Sequence, residues 1–142
     1  MSAPELTLYY DGSCPFCAAE MRHLRGWDSD ARLGFVDIAA PDFDPAPLGV
    51  DLAALNREIH GATHDGAVMV GIDTLLAAYD LVGPLWARCL VWPLRLRIAR
   101  PVVTRAYRWF ARNRYTISRR LGLRPPPACD GDVCSPGNPF LK

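Results

Sequence analysis

A five-residue run, Leu6-Thr7-Leu8-Tyr9-Tyr10, stops at Asp11-Gly12, and four residues later the chain reads Cys14-Pro15-Phe16-Cys17. This junction constrains the fold more than any other feature. Branched and aromatic residues favour a buried strand, and Asp-Gly is a turn signal. Pro15 suits the first position of a helix, where its missing N–H would have had no partner, and this puts Cys14 at the N-cap. Cys14, Cys17, Met21 and Leu24 then recur on one helical stripe up to Gly26, with Arg22 and Arg25 off it. Both sulfurs are expected on one face at the start of a helix.

That placement suits disulfide exchange, in which a thiolate attacks a disulfide and a second thiol resolves the mixed intermediate. Backbone N–H groups of the first turn and the positive end of the helix dipole favour the anion at Cys14. A thiol of ordinary pKa near ~8.5 falls to roughly 3.5–7.5 in such a setting. Cys14 is therefore expected to attack, and Cys17, one turn in on the buried face, to resolve. Pro15 limits the backbone between them and Phe16 offers an apolar contact for a substrate. Asp11 is read first as a cap on its own turn, with proton transfer as the alternative. His23, His60 and His64 have no spacing to the cysteines that demands a role and are expected in loops or solvent. The chemistry calls for no cofactor and no metal.

Downstream, Leu33–Ile38 reads as a second strand and Asp51–His60 as a helix, with Asp51 as its cap and Leu52, Leu55 and Ile59 on one face. Gly61–His64 and Ala67–Val70 read as a hairpin around Asp65-Gly66, and Asp73–Val82 as a third helix. The order βαβαββα describes an α/β, thioredoxin-like core. After Gly83, Pro84, Pro93 and Pro101 break the pattern into helical pieces, the longest running from Pro101 to Leu121. On it Val103, Ala106, Phe110, Ile117 and Leu121 approximate an apolar face, and Arg105, Arg108, Arg112 and Arg119 follow another. The expected organisation is a redox domain over 1–82, a helical arginine-rich extension over 83–121, and a Pro-rich, Cys-containing tail over 122–142.

Charge is segregated along the chain. Residues 1–80 hold four arginines against thirteen acids, whereas Leu81–Ala128 holds eleven arginines and no Asp or Glu. The basic arm can pair with its own acidic half, or meet an anionic membrane or nucleic acid. Packing on the core is the preferred reading; peripheral membrane contact stays open, and nucleic acid is not expected as a partner. Arginines interrupt the apolar runs too often for a simple spanning helix. The N-terminus lacks a basic patch followed by an apolar run, so a cytoplasmic location is expected.

Five cysteines without a secretory signal are better read as catalytic, metal-binding or free than as a disulfide framework. Cys89, in an apolar context, is expected to be a small core residue. Cys129 and Cys134 flank an Asp130-Gly131 turn and form a possible second redox pair. Together with Cys14 and Cys17 they also make the rival reading, a four-thiolate zinc module.

Asp11, Cys14 and Cys17 match the Asp-x2-Cys-x2-Cys signature of the DCC family of thiol-disulfide oxidoreductases. The strand Phe35-Val36-Asp37-Ile38, the hairpin ending at Gly71, and Ala111-Arg112-Asn113-Arg114-Tyr115 in the arm also resemble that family's pattern, so the likeness runs from about Leu6 to Leu121. It implies a thiol-disulfide oxidoreductase acting on protein or small-molecule disulfides and thiols. One departure from better-known thioredoxin-like enzymes stands out. They place a cis-proline before the strand facing the redox helix, but this chain has no proline between Pro47 and Pro84, and Gly66 or Ala67 takes the comparable place. Glutathione use is not implied.

Overall fold

The computed structural model describes residues 3–123 and the backbone of 129–130 and 133–134. Strand β1 (Leu6–Tyr10) leads into helix α1 (Pro15–Trp27), which returns the chain to β2 (Leu33–Asp37). Short α2 (Leu52–Arg57) precedes the hairpin β3 (His60–Thr63) and β4 (Val68–Val70). Helices α3 (Ile72–Val82), α4 (Leu85–Val91) and α5 (Arg100–Arg120) follow, with a 3-10 turn at Trp92–Arg95 between the last two. The four strands form one sheet in the order β2-β1-β3-β4, with β1 parallel to β2 and antiparallel to β3. This mixed α/β architecture is compatible with a thioredoxin-like fold.

The core forms where β1 meets α1 and α3. Leu6, Leu8, Met21, Leu24, Leu33 and Ala78 make a contiguous buried cluster, and Leu8 and Leu24 have no exposed surface. Each such leucine contributes about 1.5–3 kcal/mol through removal from water. Around this cluster Trp27 meets Tyr79 of α3 and Trp86 of α4 edge-on, at 5.5 and 5.7 Å between ring centres. Close backbone approach explains Gly61 in β3, where an added Cβ would lie 2.7 Å from the Thr74 methyl of α3.

Two sequence expectations shift. The second helix ends at Arg57 rather than His60, because Glu58 turns extended (φ −141°, ψ 150°) and β3 begins at His60 to pair with Tyr9. Asp51 occupies its N-cap without a side-chain hydrogen bond. His60 is consequently buried, 4% exposed, with Nδ1 2.9 Å from the Glu58 carbonyl, where a loop or solvent position was expected.

The arm folds back onto the acidic half. Arg95 pairs with Asp80, Arg100 with Asp73, Arg108 with Glu58 at 3.1 Å, and Arg114 with Asp11 at 3.2 Å. The first three are partly exposed pairs worth about 0–1 kcal/mol each, enough to orient helices but not to hold them. The buried face of α5 is Ala111, Arg114 and Ser118, whereas Ala106 and Leu121 point to solvent. The expected face was displaced because the arginine at 114 has a buried partner that periodicity does not reveal. Cys89 is exposed on α4, a correction to the core position expected of it, because the face of this helix that meets the core is the one carrying Ala87. Among the described residues no helix is long and apolar enough to cross a membrane.

The loop after β1 is clamped from β2. The Asp37 carboxylate accepts from the N–H groups of Gly12 and Ala39, each at 2.8 Å. A Cβ on Gly12 would fall 1.9 Å from Asp37 Oδ2, so only glycine allows this approach. Gly12→Ala must displace the carboxylate and lose these bonds, and is expected to lower the unfolding free energy by about 1–3 kcal/mol in urea denaturation. Unchanged stability would show that the clamp is not needed.

Candidate active site

Cys14 takes the N-cap of α1 in an extended conformation (φ −83°, ψ 119°), and Pro15 begins the helix, as the sequence indicated. The Cys17 N–H donates to Cys14 Sγ at 3.5 Å. Cys14 is fully buried, and Cys17, expected on the buried face, is partly buried. Helix α5, which carries no cysteine, packs on α1, and its Phe110 ring meets Phe16 edge-on at 5.3 Å.

The electrostatics separate the two thiols. A hydrogen bond from the Cys17 thiol holds the Cys14 pKa down, to about 7, and the Cys17 N–H and the Arg114 guanidinium act in the same direction against burial and Asp11. The same sulfur-sulfur hydrogen bond, with burial, pushes Cys17 well above its ordinary value. Cys14 is thereby shifted towards the thiolate at neutral pH, and its reactivity should rise as pH passes through about 7 and fall below it.

Asp11 is 3% exposed and has two tasks. Its Oδ1 accepts from the backbone N–H of Ser13 at 3.0 Å and from the Ser13 hydroxyl, which is the turn cap expected of it. Its Oδ2 accepts from Arg114 Nη2 at 3.2 Å. The same Nη2 donates to the Asn56 carbonyl at 2.7 Å, so α5 is tied both to the redox turn and to α2. Arg114, 5% exposed, is the residue sequence reasoning missed. It stood among the eleven arginines of the basic arm, and its signal was only its place in the family-like segment Ala111–Tyr115.

Behind Cys17 lies an apolar cavity of about 450 Å³ between α1, α3 and α5, with Phe16, Met21, Leu75, Tyr107 and Phe110 in its wall and Asp11 and Arg114 at its polar part. A larger cleft of about 720 Å³, on the β4 side of α3, is laced by Arg95, Arg100 and Arg108 with their acidic partners and contains no cysteine. Among the described residues no three His, Cys, Asp or Glu side chains gather to hold a metal. The backbone of Cys129–Asp130 pairs antiparallel with Val133–Cys134, with the two cysteines opposite each other. Their side chains, and with them the second redox pair and the four-thiolate site, lie outside the described residues.

Two substitutions should move the Cys14 pKa in opposite directions. Arg114→Met removes a stabilising cation and raises it, and Asp11→Asn removes an opposing anion and lowers it. Arg114→Met should also cost about 3–5 kcal/mol, since Asp11 is left buried without its counter-charge. Iodoacetamide rates against pH, with denaturation of each variant, measure both. Shifts of one sign in both variants would contradict the assignment.

Comparison with known proteins agrees with this chemistry. The chain is 31% identical over 84 residues to an uncharacterized chloroplastic protein of Arabidopsis thaliana, a match covering 58% of this chain and 39% of that protein. The chain thus spans about two fifths of the length of the curated relative it matches. No solved structure matches it. A family model matches residues 8–120, from the middle of β1 to the end of α5, and by that match the chain belongs to the DCC1-like thiol-disulfide oxidoreductase family.

Proposed function

We propose that the protein is a thiol-disulfide oxidoreductase in which Cys14 attacks a substrate disulfide and Cys17 resolves the mixed intermediate, on a thioredoxin-like core over residues 1–82. The observation that carries this reading is the N-cap geometry, in which Cys14 sits at the start of α1 and its Sγ accepts from the Cys17 N–H at 3.5 Å, an arrangement that favours the thiolate at Cys14 and the thiol at Cys17. An attacking sulfur needs its charge before the substrate arrives, and a resolving sulfur needs to keep its proton until the mixed disulfide forms. Asp11 caps the turn and anchors Arg114, Pro15 sets the helix start, and Phe16 and the cavity wall receive the substrate.

The extension over 83–121 both covers the site and presents a surface. Leu85, Trp86, Leu90, Trp92, Ile98 and Val102 are 61–91% exposed, and no acidic residue lies among the arginines around them. Apolar side chains beside cations suit peripheral contact with an anionic bilayer, and this favours membrane over nucleic acid as the partner of the arm.

Cys14→Ser should reduce disulfide reductase activity to the uncatalysed level, and Cys17→Ser should accumulate mixed disulfides visible by mass spectrometry. Equal alkylation rates at the two thiols would remove the basis of the assignment. For the arm, flotation with phosphatidylserine-containing vesicles should be strong at low salt, weaken as salt rises, and be lost in Trp86→Ser/Ile98→Ser. No binding to such vesicles would exclude the membrane contact.

A further inference from the structure

The cavity behind Cys17 carries information about what the dithiol meets. At about 450 Å³ it falls within the range of small-molecule sites, and most of its wall is aliphatic or aromatic. Its polar groups are two carboxylates, Asp11 and Glu20, the hydroxyls of Tyr10, Tyr79 and Tyr107, and the Arg114 guanidinium, with the Tyr79 hydroxyl donating to Glu20 at 2.7 Å. Arg114 lines it, and the Arg114 Nε–H is buried without an acceptor among the described residues. Tyr107 also lines it; its hydroxyl oxygen accepts from the Ile59 N–H at 3.1 Å, which leaves the O–H proton uncommitted. Burial holds Tyr107 protonated, with its pKa pushed up to about 12.

One buried donor without an acceptor, the Arg114 Nε–H, with the Tyr107 hydroxyl in the same wall, fits a ligand that brings an acceptor. The guanidinium charge is already offset by the Asp11 carboxylate, so a neutral carbonyl suits the site better than an anion. The lining also contains a redox thiol, Cys17, while Cys14 has no exposed surface of its own. Cys14, one turn before it and hydrogen-bonded to the Cys17 N–H, lies outside the lining, so a disulfide seated in the cavity meets Cys17 first and the Cys14 side chain has to turn towards it to attack.

We propose that the cavity is the substrate pocket and that it takes a small, neutral disulfide with an apolar body and a carbonyl acceptor at one end. This rests on the reading of Cys14 and Cys17 as an exchanging dithiol, and adds the substrate class. With a cyclic disulfide, the Cys14 thiolate forms a bond to one ring sulfur, the ring S–S bond breaks, and the departing sulfur takes up a proton. Cys17 then gives up its proton and bonds to Cys14 Sγ, expelling the first ligand sulfur, which is protonated in turn. The protein dithiol is oxidised to a disulfide and the ligand disulfide is reduced to a dithiol by the same two electrons.

Lipoamide, a neutral 1,2-dithiolane with an apolar chain and an amide carbonyl, is the probe. Titration calorimetry on the Cys14→Ser/Cys17→Ser double variant reads binding without exchange. Saturable binding of lipoamide, with none of the charged glutathione disulfide, is expected. On that background Ala111→Phe, which fills the cavity, and Leu90→Glu, which puts a charge at its exposed rim, should each weaken binding by about tenfold or more. Leu90 is 70% exposed, so its variant tests the site even if the phenylalanine does not pack. No saturable lipoamide binding, or binding indifferent to Leu90→Glu, overturns the pocket. A separate titration of the wild-type cysteines against dithiothreitol distinguishes the two readings. If the couple cycles and lipoamide does not bind, the pocket alone is wrong; if the couple does not cycle, the dithiol reading fails and the substrate assignment with it.

Discussion

The contact between Arg114 and Asp11 joins residues 103 positions apart and is nine-tenths buried on both sides. A buried ion pair of this kind adds little net stability over an apolar pair of the same shape, because desolvation offsets most of the attraction. Its consequence is specificity. With either partner alone a charge would sit buried and uncompensated, so α5 has one favourable register over α1, the one that brings the guanidinium to the redox turn. The Phe16–Phe110 contact and the cavity wall both require that register.

The same pair links architecture to reactivity. Arg114 favours the anion at Cys14, and Asp11, held beside it, works against that effect. Both effects are smaller than the hydrogen bonds from the Cys17 thiol and N–H, which are the main source of acidity. A lone arginine would pull the thiolate further down in pKa and leave it a weaker nucleophile, since nucleophilicity falls with basicity. A thiol near 7 combines a substantial anion population at neutral pH with retained nucleophilic strength.

The exposed apolar residues of α4 and the turn after it lie close in sequence to Leu90 and Val91, which line the cavity rim. If the arm rests on a bilayer as proposed, the mouth of the substrate pocket lies beside the membrane surface, where apolar small molecules concentrate. The two proposals then describe one physical situation, an apolar substrate presented where its solubility is highest. The ion pairs that fasten the arm to the acidic half leave Arg88, Arg97 and Arg105 exposed for anionic lipid.

Much of the redox junction was legible in the chain because its determinants are local. A branched strand, an Asp-Gly turn and a proline one residue after a cysteine specify strand, turn and N-cap through propensity and sterics, and the structure has each of them at β1, Gly12 and Cys14. The hairpin and third helix followed from the same kind of short-range signal. The second helix was overextended because pairing of His60 with Tyr9, a long-range bond, overrode helical periodicity. Which arginine of the arm is buried, why Cys89 is exposed, and which of the two redox sulfurs faces an opening were not readable. Each depends on which helix face meets which neighbour, and the seven arginines spread along α5 give that choice no local mark. The sequence by itself determined a strand-to-helix dithiol and its chemistry. Only the tertiary structure decided that α5 closes over it, because one guanidinium finds its counter-charge in a turn a hundred residues away.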